Sequence, residues 1–599
     1  MRFETSTPPT ENFSVDAVQH SSLNRAEAPV LMPVLSERYA LRGSHFMVCL
    51  CCVGVYLLVS YLPLFQSVTW HHVLMGDWIL SHRALPQVDP FLPLSDGFRS
   101  VPTSWLSDVL MAAIWRGSGM QGLSIALAVV TLAMLILTGR ACRLRSGRLR
   151  LALLAMAFLI AQHWTQLSVL RPELLGLTCF AALLCLLAQW PDQPERASVR
   201  FDHTNRDQPD ASSLLNNVAW TPRPSENQLE TDGRGVHPTV YQQAVSAFRL
   251  IGAPIKVVGL FVLWANLDGS VLVGVAVLAL LALGTAWDVA LAERSILAAL
   301  RTPRVQHAVY LAELAGLATL LQPLGFRLWT DVIHGERGSA WTALGGASPL
   351  VLTSGSGLAV AAVCLLAAVL LRWSPRRVSA ADVLLMLAGL LVTAFNQQMT
   401  DWLAPLALWV LLPHVADLIA SRSWIAPKCY QPLFVEGEPV PPLAFKYTLL
   451  SGLAIWTAFA LSPISNPIFG RGPLPLNRLV SKHAPQALTE FLKKSDAPTG
   501  LVWLPESWGD WVTFAGPRGL KVSANSQIHL LSERQRSDIL QVHRAEGNWT
   551  RTLDRYGVEL LIIDKPHQPR LLDAALAQGA DWTIRHEDDL SLVLNRKNH

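Results

Sequence analysis

Apolar residues in this chain come in long, nearly uncharged runs rather than in the narrow stripes of a water-soluble fold. Eleven segments stand out: 45–65, 122–138, 149–163, 173–190, 254–266, 269–287, 306–322, 356–371, 381–395, 402–418 and 445–462. A helix of about 20 apolar residues crosses hydrocarbon, and each run predicts such a helix. The region 254–287 is interrupted by Asn266 and Asp268 and reads either as two short helices or as a re-entrant pair. Between the first two spans the pattern changes. Val73, Leu74, Trp78, Ile79 and Leu80 surround Gly76 and Asp77, and Trp105, Leu106, Val109, Leu110, Ala113 and Ile114 recur at helical spacing. Trp70, Trp78, Trp105 and Trp115 suit a membrane interface, where a ring has one wet and one apolar side. The loop 66–121 therefore predicts two short helices, near 73–80 and 104–115, lying along the outer surface and joined by an extended piece from Pro86 to Pro102. Beyond residue 478 the pattern is that of a soluble domain. Short apolar runs at 500–504, 510–514, 519–523, 558–563 and 590–594 predict strands, and helical patterns at 485–494, 532–543, 547–556 and 570–578 lie between them. The expected fold is a polytopic α-helical membrane protein of eleven spans (45–462) with a small C-terminal α/β domain (478–599).

Composition agrees. Of 599 residues 51% are hydrophobic and 15% are charged, against about 25% charged in soluble proteins. The net charge of +4 comes from Arg residues in short loops, and no nucleic-acid signature is present. Five arginines, Arg140, Arg143, Arg145, Arg148 and Arg150, mark one loop as cytoplasmic. By alternation Arg294, Arg301 and Arg304, then Arg372, Arg376 and Arg377, then Arg422 and Lys428 fall on the same side, as do Arg25, Arg38 and Arg42 before the first span. The expected orientation has the N-terminus in the cytoplasm and the C-terminal domain on the other side of the membrane. The tail 1–44 and the loop 191–247 are polar and predict disorder. The first apolar run is too long for a signal segment and reads as a retained helix. The eight Cys all lie in spans or cytoplasmic loops, none in the C-terminal domain, and no disulfide framework, metal-ligand spacing or cofactor motif is visible.

The unusual polar residues gather at the outer ends of the expected helices: His71 and His72, Asp77, Asp89, Asp108, Arg171 and Glu173, Asn266 and Asp268, Gln322, and Asn396 to Gln398 with Asp401. Polar groups near hydrocarbon are costly and usually face a cavity or one another, so together they predict a polar cavity open to the outside. Each also has a plainer reading. Arg171 fits a snorkelling anchor, Asn266 and Asp268 fit caps at a helix break, and Asp89 before Pro90 fits a turn start. The histidines fit an interface without a ligand, and Glu173 fits compensation of a helix dipole.

The order of these residues resembles the GT-C type of bacterial membrane glycosyltransferase. Trp70-His71-His72-Val73-Leu74-Met75-Gly76-Asp77, then Leu85-Pro86-Gln87-Val88-Asp89-Pro90-Phe91, then Ser104-Trp105-Leu106 is similar to the first outer loop of those proteins. Arg171-Pro172-Glu173-Leu174, Trp264-Ala265-Asn266-Leu267-Asp268-Gly269 and Gln322-Pro323-Leu324-Gly325 resemble later motifs in matching order, and Trp508-Gly509-Asp510-Trp511, Tyr556-Gly557-Val558 and Trp582 resemble their soluble tail.

The resemblance implies transfer of a sugar from a lipid-linked, polyprenyl phosphate donor to an envelope glycan or protein acceptor. A first-loop carboxylate would act as general base while cationic and polar groups hold the donor phosphate. The chain departs from the pattern where the family carries that base: the position holds Val68. The family's second Trp is His71, its later His is Asp268, and its Asp-Gly-Arg is Asn525-Ser526-Gln527. Asp89 and Asp77 are the substitute catalytic candidates, with His72, Arg171, Asn266, Asp268 and Gln322 as substrate-binding candidates. The alternative is an inactive relative that binds lipid-linked sugar or scaffolds envelope assembly. A transporter would predict an inverted repeat between the halves, which the sequence lacks.

Overall fold

The computed structural model describes residues 41–64, 68–95, 98, 101–164, 169–189, 254–334, 349–421, 444–472, 474, 476–494, 500–578 and 582–597. The expected disorder of 191–247 and of nearly all of 1–44 lies outside these residues.

A helix stands at each of the eleven apolar runs. They are α1 (Gly43–Ser60), α3 (Trp105–Ser146), α4 (Leu149–Gln162), α5 (Pro172–Ala188), α6 (Pro254–Leu267), α7 (Val271–Glu293), α8 (Pro303–Ala318), α9 (Gly355–Trp373), α10 (Ala380–Phe395), α11 (Thr400–Ser421) and α12 (Ala444–Leu461); α2 (Val68–His82) lies in the first loop. Five of the long ones, in α1, α3, α7, α9 and the stretch Gln397–Ser421, are long and apolar enough to cross a membrane; α4, α5, α6, α10 and α12 are apolar but shorter, and α8 falls in neither group. At 1.5 Å per residue a helix of about 14 residues reaches only about 21 Å, so length does not fix eleven crossings. Leu283, Leu365, Leu391 and Trp456 stand exposed on these helices, the composition that a lipid-facing surface requires.

The interrupted region 254–287 resolves as two helices, α6 and α7, broken at Asp268 and Gly269. The two expected first-loop helices are differently arranged. The one near 73–80 is α2. The one near 104–115 is the start of α3, which runs on into the second apolar segment across a kink at Gly119 (φ 58°, ψ −149°). Within α3 only Gly119 leaves helical geometry, so the two segments expected as separate helices join into one kinked helix.

The C-terminal domain holds α13 (Gln486–Lys494), β1 (Leu501–Trp503), α14 (Glu506–Ala515), β2 (Lys521–Val522), α15 (Glu533–His543), α16 (Trp549–Arg555), β3 (Val558–Asp564), α17 (Pro569–Ala577), β4 (Trp582–Glu587) and β5 (Ser591–Arg596). The sheet order is β2-β1-β3-β5-β4; β2, β1 and β3 are parallel, and β5 and β4 close the edge antiparallel. One expected strand, 510–514, is helix α14. Its residues also satisfy a helical stripe through Trp508, Trp511 and Val512, all buried. Packing decides between the periods: a Cβ on Gly509 would lie 2.0 Å from the carbonyl oxygen of Ala524, so the helix backbone rests directly on the chain leaving β2. Strand β4 was not anticipated, because its exposed Thr583, Ile584 and Arg585 give no clean alternation.

The sheet domain and the first loop are packed into one another. Leu92 is fully buried within the apolar core formed by Leu501, Trp503, Ile563 and Leu594. The Gln535 amide donates to the carbonyl of Leu94 at 2.7 Å. Trp70 of α2 stacks on Phe514 of α14 (centroids 4.8 Å apart) and meets Trp511 edge-on at 5.1 Å, while Trp115 of α3 meets Phe514 at 5.0 Å. Buried aromatic pairs of this kind are worth about 0.5–1.5 kcal/mol each beyond their area.

Candidate functional site

The site begins with how closely α2 approaches α3. A Cβ on Gly76 would lie 1.9 Å from the carbonyl oxygen of Asp108, so only glycine allows the two backbones to touch there. That contact places His72 and Asp108 side by side: His72 Nδ1 lies 2.7 Å from Asp108 Oδ1, which also accepts from the Ser104 hydroxyl at 3.3 Å. Asp108 is buried, and His72 keeps a small exposed fraction. An imidazole bonded through Nδ1 to a buried carboxylate has its tautomer and ring plane fixed, with Nε2 left to act on something else.

His71 is one residue away, about 100° around the helix, and faces the C-terminal domain. Its Nε2 lies 3.9 Å from Asp89 and its Nδ1 3.6 Å from Asp510 of α14, distances of ion pairs rather than hydrogen bonds. Burial opposes its charge, but Asp510, Asp89 and Asp108 outweigh burial and push its pKa from 6.5 up to about 9. Asp89 is further committed: its Oδ1 accepts the backbone N–H groups of Phe91 at 2.7 Å and Leu92 at 3.1 Å. Asp510 accepts the backbone N–H of Ser526 at 3.2 Å, which joins the two C-terminal motifs. His529 lies in the same corner and is held neutral, its pKa lowered to about 4 by burial and then by His71 and Arg536.

A second polar group lies at the starts of α5 and α11. Arg171, the residue before α5, is 3.6 Å from Asp401 and 3.8 Å from Glu173, and His163 Nε2 is 3.3 Å from Asp401. Asp268, in the turn between α6 and α7, is buried, accepts the Ser270 N–H at 3.1 Å and also bonds the Ser270 hydroxyl. Its carboxyl is pushed above the usual range by burial and by Glu173, and His72 acts in the opposite direction. Asp268 thus stands within electrostatic reach of both His72 and Glu173, linking the two groups.

The remaining candidates separate from these. Asn266 accepts from the Trp105 indole at 3.0 Å and donates to the carbonyl of Leu321 at 2.9 Å, tying α6 to α3 and to the end of α8. Gln322 closes its own turn, donating to Gly325 and accepting from Leu324. Asp77 points away from the histidines and pairs at 2.7 Å with Arg116, both half exposed. Among the described residues, no group of three or more His, Cys, Asp or Glu side chains is arranged to hold a metal ion. Sequence reasoning missed His163 and His529, which carry no motif. It also missed that Asp510 meets His71 more than 400 residues away in the chain, a signal that no local pattern contains.

No protein-family model and no curated protein matches the chain. Among solved structures it is similar to an oligosaccharyltransferase of Archaeoglobus fulgidus, tethered to an acceptor peptide containing the NVT sequon, at 12% identity over 92% of this chain and 74% of that one (TM-score 0.44). It is also similar to the same oligosaccharyltransferase in complex with Zn and sulfate, at 13% identity over 87% and 67% (TM-score 0.37). A further likeness is to the arabinofuranosyltransferase AftD from Mycobacteria, at 14% identity over 94% of this chain and 40% of that one (TM-score 0.46).

Proposed function

We propose that this protein is an integral membrane glycosyltransferase that moves a sugar from a lipid-linked, polyprenyl phosphate donor to an envelope acceptor on the extracytoplasmic side. The observation that carries the reading is the His72–Asp108 dyad, set at 2.7 Å by the α2–α3 contact, on a loop whose family position for the base holds Val68. In this reading Nε2 of His72 takes the proton of the acceptor hydroxyl as that oxygen attacks the anomeric carbon. Asp108 orients the ring and stabilises the imidazolium that forms. The bond from the anomeric carbon to the phosphate oxygen breaks, and the lipid phosphate leaves with the electron pair. Arg171 receives that developing charge, and its present partners Asp401 and Glu173 hold its guanidinium in place until a phosphate arrives. Asp89, the carboxylate first suggested by its motif, is here a poorer base, because two backbone N–H groups bond its Oδ1 and the cationic His71 faces its Oδ2.

The test is transfer of radiolabelled sugar from a panel of polyprenyl-phosphate sugars by purified protein in lipid. Wild type should transfer, His72→Ala and Arg171→Ala should not, and donor binding should survive in His72→Ala. Transfer that survives His72→Ala but is lost in Asp89→Ala would return the base to Asp89. Donor binding without transfer across the panel would favour the second reading, an inactive relative, whose support is Val68 itself.

A further inference from the structure

A cavity of about 660 Å³ lies between the carboxyl ends of the sheet domain's parallel strands and the start of α2, where Leu64, Val68 and Trp70 line it. Its walls come from the turn between β1 and α14 (Glu506, Ser507, Trp508), from Ser526 after β2, and from the turn between β3 and α17 (Asp564, Gln568). From β1 the chain goes to β2 on one side and then crosses to β3 on the other, so the turns after β1 and β3 diverge. In open α/β sheets that divergence opens the crevice where ligands bind. Two wall residues, Trp511 and Ser526, also carry polar atoms (Nε1 and Oγ) that are buried without a hydrogen-bond partner among the described residues. A buried donor left without a partner is costly, and a ligand oxygen would offset that cost.

The lining also selects the ligand's charge. Among the described lining residues there is no Lys or Arg, while the carboxylates of Glu506 and Asp564 are present. A phosphate or carboxylate would meet these carboxylates and neither Lys nor Arg; the basic groups among the described lining residues are His483, His543 and His567, of which His567 is paired with Asp564 at 2.9 Å and His543 is bonded to Gln568. Trp508 and Trp511 offer apolar ring surface, and the amide and imidazole of Gln568 and His543, bonded to one another at 2.9 Å, offer preset polar atoms. Flat apolar surface beside fixed hydrogen-bonding groups, without Lys or Arg among the described lining residues, suits a neutral ring rich in hydroxyls.

We propose that this cavity binds a neutral sugar unit of a glycan acceptor, away from the reacting hydroxyl. The acceptor role rests on the transferase reading; the binding itself does not. Trp70 lines the cavity and lies two residues before His72 on α2. A glycan seated here would therefore be held beside the helix that carries the base.

The experiment titrates full-length protein in lipid nanodiscs with maltohexaose, with mannohexaose and with a short-chain polyprenyl monophosphate, by calorimetry and tryptophan fluorescence. At least one hexasaccharide should bind and perturb the fluorescence. Ser507→Trp, at an exposed position in the cavity wall, should abolish that binding, and Glu506→Gln should weaken it about tenfold, as expected for one good hydrogen bond. Polyprenyl phosphate should bind wild type and both variants equally and should not displace the sugar. Failure of both hexasaccharides to bind, sugar binding that is unchanged in Ser507→Trp with an unaltered melting temperature, or displacement by polyprenyl phosphate would each overturn the proposal. Hexasaccharide binding should persist in His72→Ala. Binding without transfer in wild type would leave the cavity assigned while defeating the transferase reading.

Discussion

His71 and His72 are adjacent in sequence, yet they stand in two regions built for different ends. The His71 corner joins three parts of the chain: α2, the turn at Asp89, and α14 of the sheet domain. The His72 corner joins only α2 and α3, through one carboxylate. The difference is in charge count and exposure. A buried imidazole between two carboxylates is held as a cation and serves to hold elements together; giving up its proton would leave two buried negative charges facing one another. An imidazole with one carboxylate on Nδ1 and some exposure has its ring oriented and its Nε2 outside that bond. Under the proposed function the two neighbouring identical residues serve as a latch and a base, and the distinction lies in what the rest of the fold brings to each.

The largest effect expected is on the His72 side. His72→Ala should lower transfer by about 10²–10⁴-fold, the usual contribution of a positioned general base, and His72→Gln, which keeps a donor beside the buried Asp108, should do so with the melting temperature little changed. Asp108→Asn should lower the rate too and should shift its dependence on pH, because the ring loses its fixed orientation and its counter-charge. A pH–rate profile unchanged in Asp108→Asn would remove the distinction between the two corners.

Next is the latch. A pKa raised from 6.5 to about 9 means that the folded state binds the His71 proton more tightly than the unfolded chain does. The stabilisation is therefore complete below about pH 6.5 and is lost as pH rises through about 9. Its size is on the order of 3 kcal/mol at one pKa unit per 1.36 kcal/mol. Melting temperature measured from pH 6 to 10 should fall on the alkaline side, and His71→Gln should flatten that slope while lowering stability at neutral pH. A wild-type slope that persists in His71→Gln would assign the titration elsewhere.

Gly76→Ala should affect both corners together. A Cβ 1.9 Å from the Asp108 carbonyl forces α2 away from α3, and overpacking of this kind costs about 1–3 kcal/mol. Transfer should fall with stability, whereas His72→Gln separates them. The smallest effect is expected at Asp77. Its pair with Arg116 is half exposed, and such pairs contribute at most about 1 kcal/mol, so Asp77→Ala should leave both transfer and melting nearly unchanged. A large loss in Asp77→Ala would place chemistry on the face of α2 where the structure shows none.

The legible part of the fold followed from local physics. Burying backbone in hydrocarbon forces helices wherever apolar runs occur, so all eleven runs appear as helices, and the short apolar runs near 501, 521, 558 and 591 appear as strands. The segment 510–514 misled because Asp510, Trp511, Val512, Thr513 and Phe514 satisfy both periods, and the contact of Gly509 with Ala524 decides between them. Of the site, the motifs located His72, Asp89, Arg171 and Asp268, since polar side chains at the ends of apolar helices are conspicuous for their cost. They did not distinguish Asp77 from Asp89 and Asp108, all of them first-loop aspartates. The sequence by itself determined the helical architecture, the small sheet domain and the list of polar residues, because these depend on spacing along the chain. The tertiary structure alone decided which imidazole meets one carboxylate and which meets two, that Asp510 crosses from the sheet domain to His71, and that a cavity opens at the strand ends, because these depend on contacts between residues far apart in sequence.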